Sequence, residues 1–536
     1  MKTYLNILLT LVPVSFRTGH IVASLLGTLF TIHLSSFGAS PPPNIILINA
    51  DDLGYGDLSC YGATKVRTPN IDRIAKEGRR FTDAHSSSAV CSPSRYGLLT
   101  GRYPHRENFW GPISPVQKLT INPSLTTIPN LLQDNGYDTA IIGKWHLGFG
   151  DEKPDWNGDL KPGPLEVGFD SYFGIPAVNS GPPFVYVEDH RVIGLDPNDP
   201  LVFGKKSVTK KIPEKSGYDR IGGGDAAHRL YIDDQIGTTF AKRAVKWIQE
   251  RDRKTPFFLY LATTNIHHPF TPAPQFVGTS DCGLYGDFIH ELDWIVGQVL
   301  AILDERNLKD NTLVIFTGDN GGMFHATGQK AWQAGHRANG KLLGHKFGAW
   351  EGGHRVPLVA RWPGKIPANS TSDQLISQID FLATLAAATG HPLKPSDQID
   401  SINQLDTLTG SPKTPLRETL VIIPNSPKHL SIRHGNWMYI PQQGSGGFQG
   451  NKPGAHLLAG PASLEFTGRI NSDVVDGKIR PGAAPAQLYN LASDPYQETN
   501  IHAQHPEIVK DLEKQLQGYR SQIPSEKPIG WINLKQ

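Results

Sequence analysis

Asn44-Ile45-Ile46-Leu47-Ile48-Asn49, followed at once by Ala50-Asp51-Asp52, is the stretch that decides how this chain folds. A strand with one wet face alternates apolar and polar residues; this run is apolar on both faces, with prolines in front and carboxylates behind. That is the pattern of a strand buried on both sides of a parallel sheet. Asp138–Ile142, Phe257–Ala262 and Leu313–Phe316 read the same way. Helical patterns lie between them, clearest at Asp234–Arg251, Phe288–Arg306 and Phe381–Thr389. The alternation predicts an α/β fold, a large and mostly parallel mixed sheet flanked by helices.

Each predicted strand is followed by chemistry. Asp51-Asp52 follow the first, Lys144 and His146 the second, His267-His268 the third, and Asp319-Asn320 the fourth. Open α/β sheets bind ligands beyond the carboxyl ends of their strands, so these groups are expected to meet along one edge. Asp51, Asp52, Asp319 and Asn320 together offer only oxygen donors, which suit a hard cation, calcium or magnesium, better than zinc.

The rest of the chain narrows the setting. With 536 residues, 38% hydrophobic and 19% charged, it is long enough for a large domain and a smaller one. Lysine and arginine number 52 against 50 acidic residues, which gives no electrostatic case for nucleic acid or an anionic membrane surface. Residues 1–40 pair the apolar stretch Ile21–Leu34 with small residues up to Ser40, as a secretory signal peptide does, although the earlier apolar stretch Tyr4–Phe16 leaves an uncleaved anchor open. An exported protein without stable membrane insertion is the expectation. Three cysteines, Cys60, Cys91 and Cys282, exclude a disulfide scaffold and leave a Cys60–Cys282 pair open. We place the catalytic domain at 41–410. The runs Leu420–Ile423, Leu430–Ile440 and Gln487–Asn490, with a helix at Glu507–Tyr519, predict a C-terminal α+β subdomain over 411–536, an antiparallel sheet with a closing helix.

Cys91-Ser92-Pro93-Ser94-Arg95 carries the sharpest signal. Pro93 suits a first helical position and Gly101 a helix stop, so Cys91 is expected just ahead of a helix whose free N–H groups favour an anion. Arg95 adds a planar donor fork suited to tetrahedral oxyanions. The string, extended by Leu99-Thr100-Gly101-Arg102, resembles the signature of type I sulfatases of the alkaline phosphatase superfamily. Glu351-Gly352-Gly353-His354-Arg355 looks closest to the arylsulfatase A and N-acetylgalactosamine-6-sulfatase branch, and Leu488-Tyr489-Asn490-Leu491 matches the family's closing segment.

The resemblance implies that Cys91 is oxidised to formylglycine (3-oxoalanine) by a formylglycine-generating enzyme. It implies one calcium ion, held by Asp51, Asp52, Asp319, Asn320 and the modified Cys91. Lys144 and Lys346 would bind sulfate, and His146 the formylglycine hydrate. Arg95 would support the alkoxide. His267 would protonate the leaving oxygen, with the adjacent His268 as the competing choice. His325 is a further candidate for touching sulfate or substrate. Phe347 stands where the family commonly has glycine. The implied activity is hydrolysis of a sulfated carbohydrate, with aryl sulfates as surrogates. A two-zinc phosphatase or phosphodiesterase of the same superfamily, or a carbohydrate-binding pseudoenzyme, are the alternatives. The segment Asn179–Pro197 is expected in a long loop, where Tyr186 could stack on a sugar ring.

Overall fold

Register explains why the site exists. In the computed structural model, which describes residues 41–206, 220–448 and 452–532, Asn44–Ala50 lies at the centre of a ten-stranded sheet. The predicted signal peptide lies outside the described residues. Asn44–Ala50 is flanked on one side by the parallel strand Thr312–Gly318 and on the other by Phe257–Ala262, then Asp138–Lys144 and Ser171–Ile175, all parallel. Ala50 pairs with Gly318, Asn49 with Ala262, and Ala262 with Gly143. Asp51 and Asp319, the next residues, and Lys144, the last of its strand, therefore fall along one line at the sheet edge.

Side chains alternate across the sheet as strand geometry requires. Ile45 and Leu47 enter the core on one face, Ile46 and Ile48 the core on the other, and all four are fully buried. The 22-residue helix Leu284–Glu305 covers the second face. It begins four residues before the predicted Phe288, because the Asp287 carboxylate gathers the loop ahead of it by accepting from the Gly278 and Ser280 N–H groups.

The smaller sheet is antiparallel, in the order Thr419–Ile422, Ser431–His434, Trp437–Ile440, Gln487–Asn490. The closing helix Pro506–Arg520 packs Leu512 and Leu516 against Ile432 and Leu488. On the other face of this sheet, Leu420, Met438 and Tyr489 share a core with Leu343 and Trp350.

Two readings that the sequence left open are decided here. Tyr186 is 3% exposed and packs against Phe173, Tyr231 and Phe240, so it is core and not a sugar platform. The segment around it pairs as edge strands, Val187–Glu188 and Arg191–Val192, which turn its aromatic residues inward. Cys60 and Cys282 remain free thiols.

Candidate active site

Cys91 is the first residue of the helix Cys91–Thr100, not the residue before it. Val90 is extended and caps the helix, and the Ser94 N–H makes the first full-turn bond to Val90 O. Pro93 thus falls at the third helical position, where an N–H would have no partner within the helix and its absence costs nothing. All ten residues of this helix are buried, and Gly101 ends it in the left-handed conformation.

The Cys91 Sγ lies 3.5 Å from His146 Nδ1. His146 Nε2 is 3.1 Å from the carbonyl of Ile113, which can only accept, so the proton sits on Nε2 and Nδ1 faces Cys91 as an acceptor. Burial, with Lys144 and Arg95 nearby, holds His146 neutral, well below its ordinary range. Burial likewise raises the Cys91 thiol, although Lys144 and Lys346 oppose it. As an unmodified cysteine this residue is a protonated thiol and a poor nucleophile.

Three buried carboxylates, Asp51, Asp52 and Asp319, face three buried cations, Arg95, Lys144 and Lys346. Lys144 Nζ is 2.6 Å from Asp51 Oδ2, and Lys346 Nζ bonds Asp52 Oδ1. Arg95 places Nε and Nη2 at 3.0 and 2.8 Å from Asp319 Oδ2 and donates to Lys144 O at 3.1 Å. Its fork holds a carboxylate and a carbonyl. Arg95 fixes the position of Asp319.

Three non-glycine residues here have left-handed backbones: Asp52 (φ 58°), His146 (φ 57°) and Phe347 (φ 78°). Such conformations cost of order 1–3 kcal/mol each and persist where surroundings impose them. At Phe347, the N–H donates to Ala89 O at 2.7 Å and the carbonyl accepts from Asn425 N–H at 2.9 Å, while the ring joins Val90 and Met323 in a small core. The left-handed turn is the reason for the family's glycine, and packing compensates for its absence. Gly143 is indispensable for a different reason: a Cβ there would lie 1.8 Å from Ala262 O.

Of the two adjacent histidines, His267 turns inward, with Nε2 3.8 Å from Asp52 Oδ2. Its Nδ1 donates to His268 O at 2.6 Å and to Asn179 Oδ1 at 3.1 Å, and the Asn179 amide donates back to His267 O at 3.2 Å. Asn179 is fully buried and holds this ring; sequence reasoning had read it only as the start of a loop insertion. Burial and Lys346 keep His267 neutral in the free site. His325 is not among these groups. It lies against His268 and His456, with ring centroids 3.9 and 4.4 Å away.

The donors fit a hard cation. Asp51 Oδ1 and Asn320 Oδ1 are buried with no hydrogen-bond partner, which is costly unless something else satisfies them. Asn320 donates its amide to Asp52 Oδ1 at 2.9 Å and to Gly321 O at 3.0 Å, so its free oxygen has a fixed orientation.

A strand-end cluster of carboxylates, lysines and histidines around a residue on a buried helix N-terminus defines a hydrolase for small anionic esters. The sulfatase family model matches residues 43–391, and the chain belongs to that family. It is 37% identical to an N-acetylgalactosamine-6-O-sulfatase of Bacteroides thetaiotaomicron, over 90% of this chain and 94% of that protein. It is 36% identical to the N-acetylgalactosamine-6-sulfatase of Homo sapiens, over 70% and 67% of the two chains. A solved sulfatase structure from work on glycosaminoglycan metabolism by Bacteroides thetaiotaomicron superposes with a TM-score of 0.78 at 36% identity, covering 90% of this chain and all of that one. The chain is accordingly an enzyme, a sulfuric ester hydrolase. Among the described residues no helix is long and apolar enough to cross a membrane.

Proposed function

We propose that this sulfatase is exported, carries formylglycine at position 91 and one calcium ion, and removes 6-O-sulfate from an N-acetylgalactosamine-type residue at the end of a glycan. The observation that carries the reading is the side chain of Cys91, buried and facing His146 beside carboxylate and amide oxygens that have no partner. The named activity of the relatives at 36–37% identity supplies the substrate class.

Asp51, Asp52, Asp319, Asn320 and position 91 would hold the calcium, which would supply positive charge to the sulfate oxygens and to the attacking oxygen. Formylglycine, made by a formylglycine-generating enzyme, would supply as its hydrate the nucleophile that a neutral thiol cannot. His146 Nδ1, already an acceptor aimed at position 91, takes a hydroxyl proton there. Lys144 and Lys346 neutralise Asp51 and Asp52 in the free site, and their ammonium groups turn to the sulfate oxygens when the ester binds. His267 already donates through Nδ1, so Nε2 is the nitrogen that gains a proton as the anionic ester enters and passes it to the leaving oxygen.

The test is a panel of defined sulfated saccharides with nitrophenyl sulfate beside them, together with the mass of the peptide containing position 91. We expect an aldehyde in place of the thiol and turnover of 6-O-sulfated N-acetylgalactosamine above that of the aryl ester, which lacks the sugar contacts that contribute transition-state binding. Unmodified cysteine in fully active protein overturns the nucleophile. Turnover of the aryl ester alone overturns the substrate.

A further inference from the structure

Outside the oxygen cluster, three histidines from distant parts of the chain meet. His268 follows His267, His325 caps the helix Ala326–Gln333, and His456 belongs to the C-terminal half. One nitrogen from each lies within 4.8 Å of the other two. The ring centroids are 3.9 Å apart for His268 and His325, 4.4 Å for His325 and His456, and 5.7 Å for His268 and His456.

The backbone holds this arrangement. His325 forms an antiparallel bridge with Leu457, and Leu458 N–H donates to Phe324 O at 3.0 Å. Gln329 clamps the loop from the helix, donating to Ala455 O at 2.9 Å and accepting from Gly454 N–H at 2.7 Å. His456 is exposed, His268 half-buried and His325 buried, so the cluster opens to solvent on one side.

We propose that His268, His325 and His456 bind one zinc-class ion at the mouth of the active site, and that this ion closes the site to substrate. Three neutral imidazoles with an open fourth position suit a borderline-soft ion, whereas the oxygen cluster suits a hard one, so the two sites sort metals by donor type. Bringing nitrogens from within 4.8 Å to a shared ion needs only side-chain rotation, and the exposed His456 has the room. Burial and the neighbouring His325 keep His268 uncharged, as a ligand must be. The His268 ring stacks on His267 at 4.6 Å, which places a bound ion beside the proposed proton donor.

The test is equilibrium dialysis of the calcium-loaded enzyme against zinc, with total metal analysis, for the native chain and His456→Ala. Calcium in excess protects the oxygen cluster. We expect one zinc per native chain, affinity reduced by about tenfold or more in the variant, and unchanged calcium content in both. Cobalt in place of zinc should give the strong visible bands of a four-coordinate site in the native chain only. Zinc should raise the apparent KM of the native enzyme and leave that of His456→Ala unchanged. No zinc uptake by the native chain, or equal affinity in the variant, overturns the site.

Discussion

Two buried charge clusters among the described residues invite comparison, because both gather ligand atoms at the spacing an ion needs. At the strand ends, Asp51, Asp52 and His267 bring three potential ligand atoms within 4.8 Å; so do His85, Glu351 and His354 beneath the smaller sheet. Proximity does not separate them. Hydrogen bonding does. Beside the second cluster, Arg433 grips both oxygens of Asp83, at 2.8 and 2.7 Å, and His85 adds a contact of 2.9 Å. His85 and His354 meet nitrogen to nitrogen at 2.9 Å, and His354 donates its other nitrogen to Ala349 O at 3.1 Å. Glu351 Oε2 accepts from Arg355 at 3.1 Å, while its Oε1, 4.0 Å from His354, has no hydrogen-bond partner. Ligand nitrogens that are already bonded to the protein are spent. At the strand ends two oxygens, Asp51 Oδ1 and Asn320 Oδ1, lack a hydrogen-bond partner, against the single Glu351 Oε1 of the second cluster, whose histidine nitrogens are engaged. In the proposed function the first cluster holds its charge for a reaction; in the second, Arg433 of the smaller sheet grips Asp83, just past a strand of the large one.

The sharpest way to break this contrast is to exchange the consequences. Lys144→Ala should lower kcat by about 10²–10³-fold while the calcium-loaded enzyme still unfolds cooperatively, because the Asp51 carboxylate that loses its ammonium partner would still face the ion. Arg433→Met should do the reverse. It removes two charge-assisted hydrogen bonds from the buried Asp83, which keeps Arg355 at 3.3 Å and His85 at 2.9 Å, and should destabilise the fold by about 1.5–3 kcal/mol, read by denaturant unfolding, with kcat per folded molecule near native. Loss of folding in the first variant and of catalysis alone in the second would erase the distinction.

A third carboxylate shows another way to be buried. Glu291 sits under the site, with Oε2 accepting from the Asn265 amide at 3.0 Å, and burial pushes its pKa up to about 8 against that pull. The folded state therefore holds a proton that the unfolded chain releases near the ordinary value of 4.5. Stability from this group is full below that value and is lost as pH rises through about 8. Glu291→Gln should flatten the fall in melting temperature between pH 5 and 8. An unchanged pH dependence would show that the carboxyl is ionised and satisfied like Asp83. The smallest effect is expected at Tyr186: Tyr186→Phe should leave KM unchanged and shift stability by at most about 1 kcal/mol. A rise in KM would return this ring to the substrate.

What was legible in the sequence follows the same physics. The strand Asn44–Ala50 declares itself because burial on both faces removes every polar residue from its middle. The reactive residues declare themselves because strand ends are where such a sheet presents ligands, and Asp51, Lys144, His267 and Asp319 all meet there. Partnerships between side chains were hidden. Nothing local says that the Arg95 fork is taken by Asp319, 224 positions away. Nor does anything local say that Asn179 steadies His267 or that His456 reaches His325, since those contacts depend on loop paths and not on period. The fate of Tyr186 was left open because a Pro-rich insertion resembles a loop until its edge pairing turns it inward.

The central claim is that the strand-end cluster, and not the one beneath the smaller sheet, is a hard-cation site completed by atoms the protein leaves unbonded. Calorimetric titration of metal-stripped protein with calcium tests it most directly. One calcium per chain should bind, and Asn320→Ala, which removes an unbonded oxygen without adding charge, should weaken binding without unfolding the domain. A His354→Gln chain that still folds should bind calcium as the native chain does. Calcium uptake that survives Asn320→Ala unchanged but disappears in His354→Gln would contradict the account.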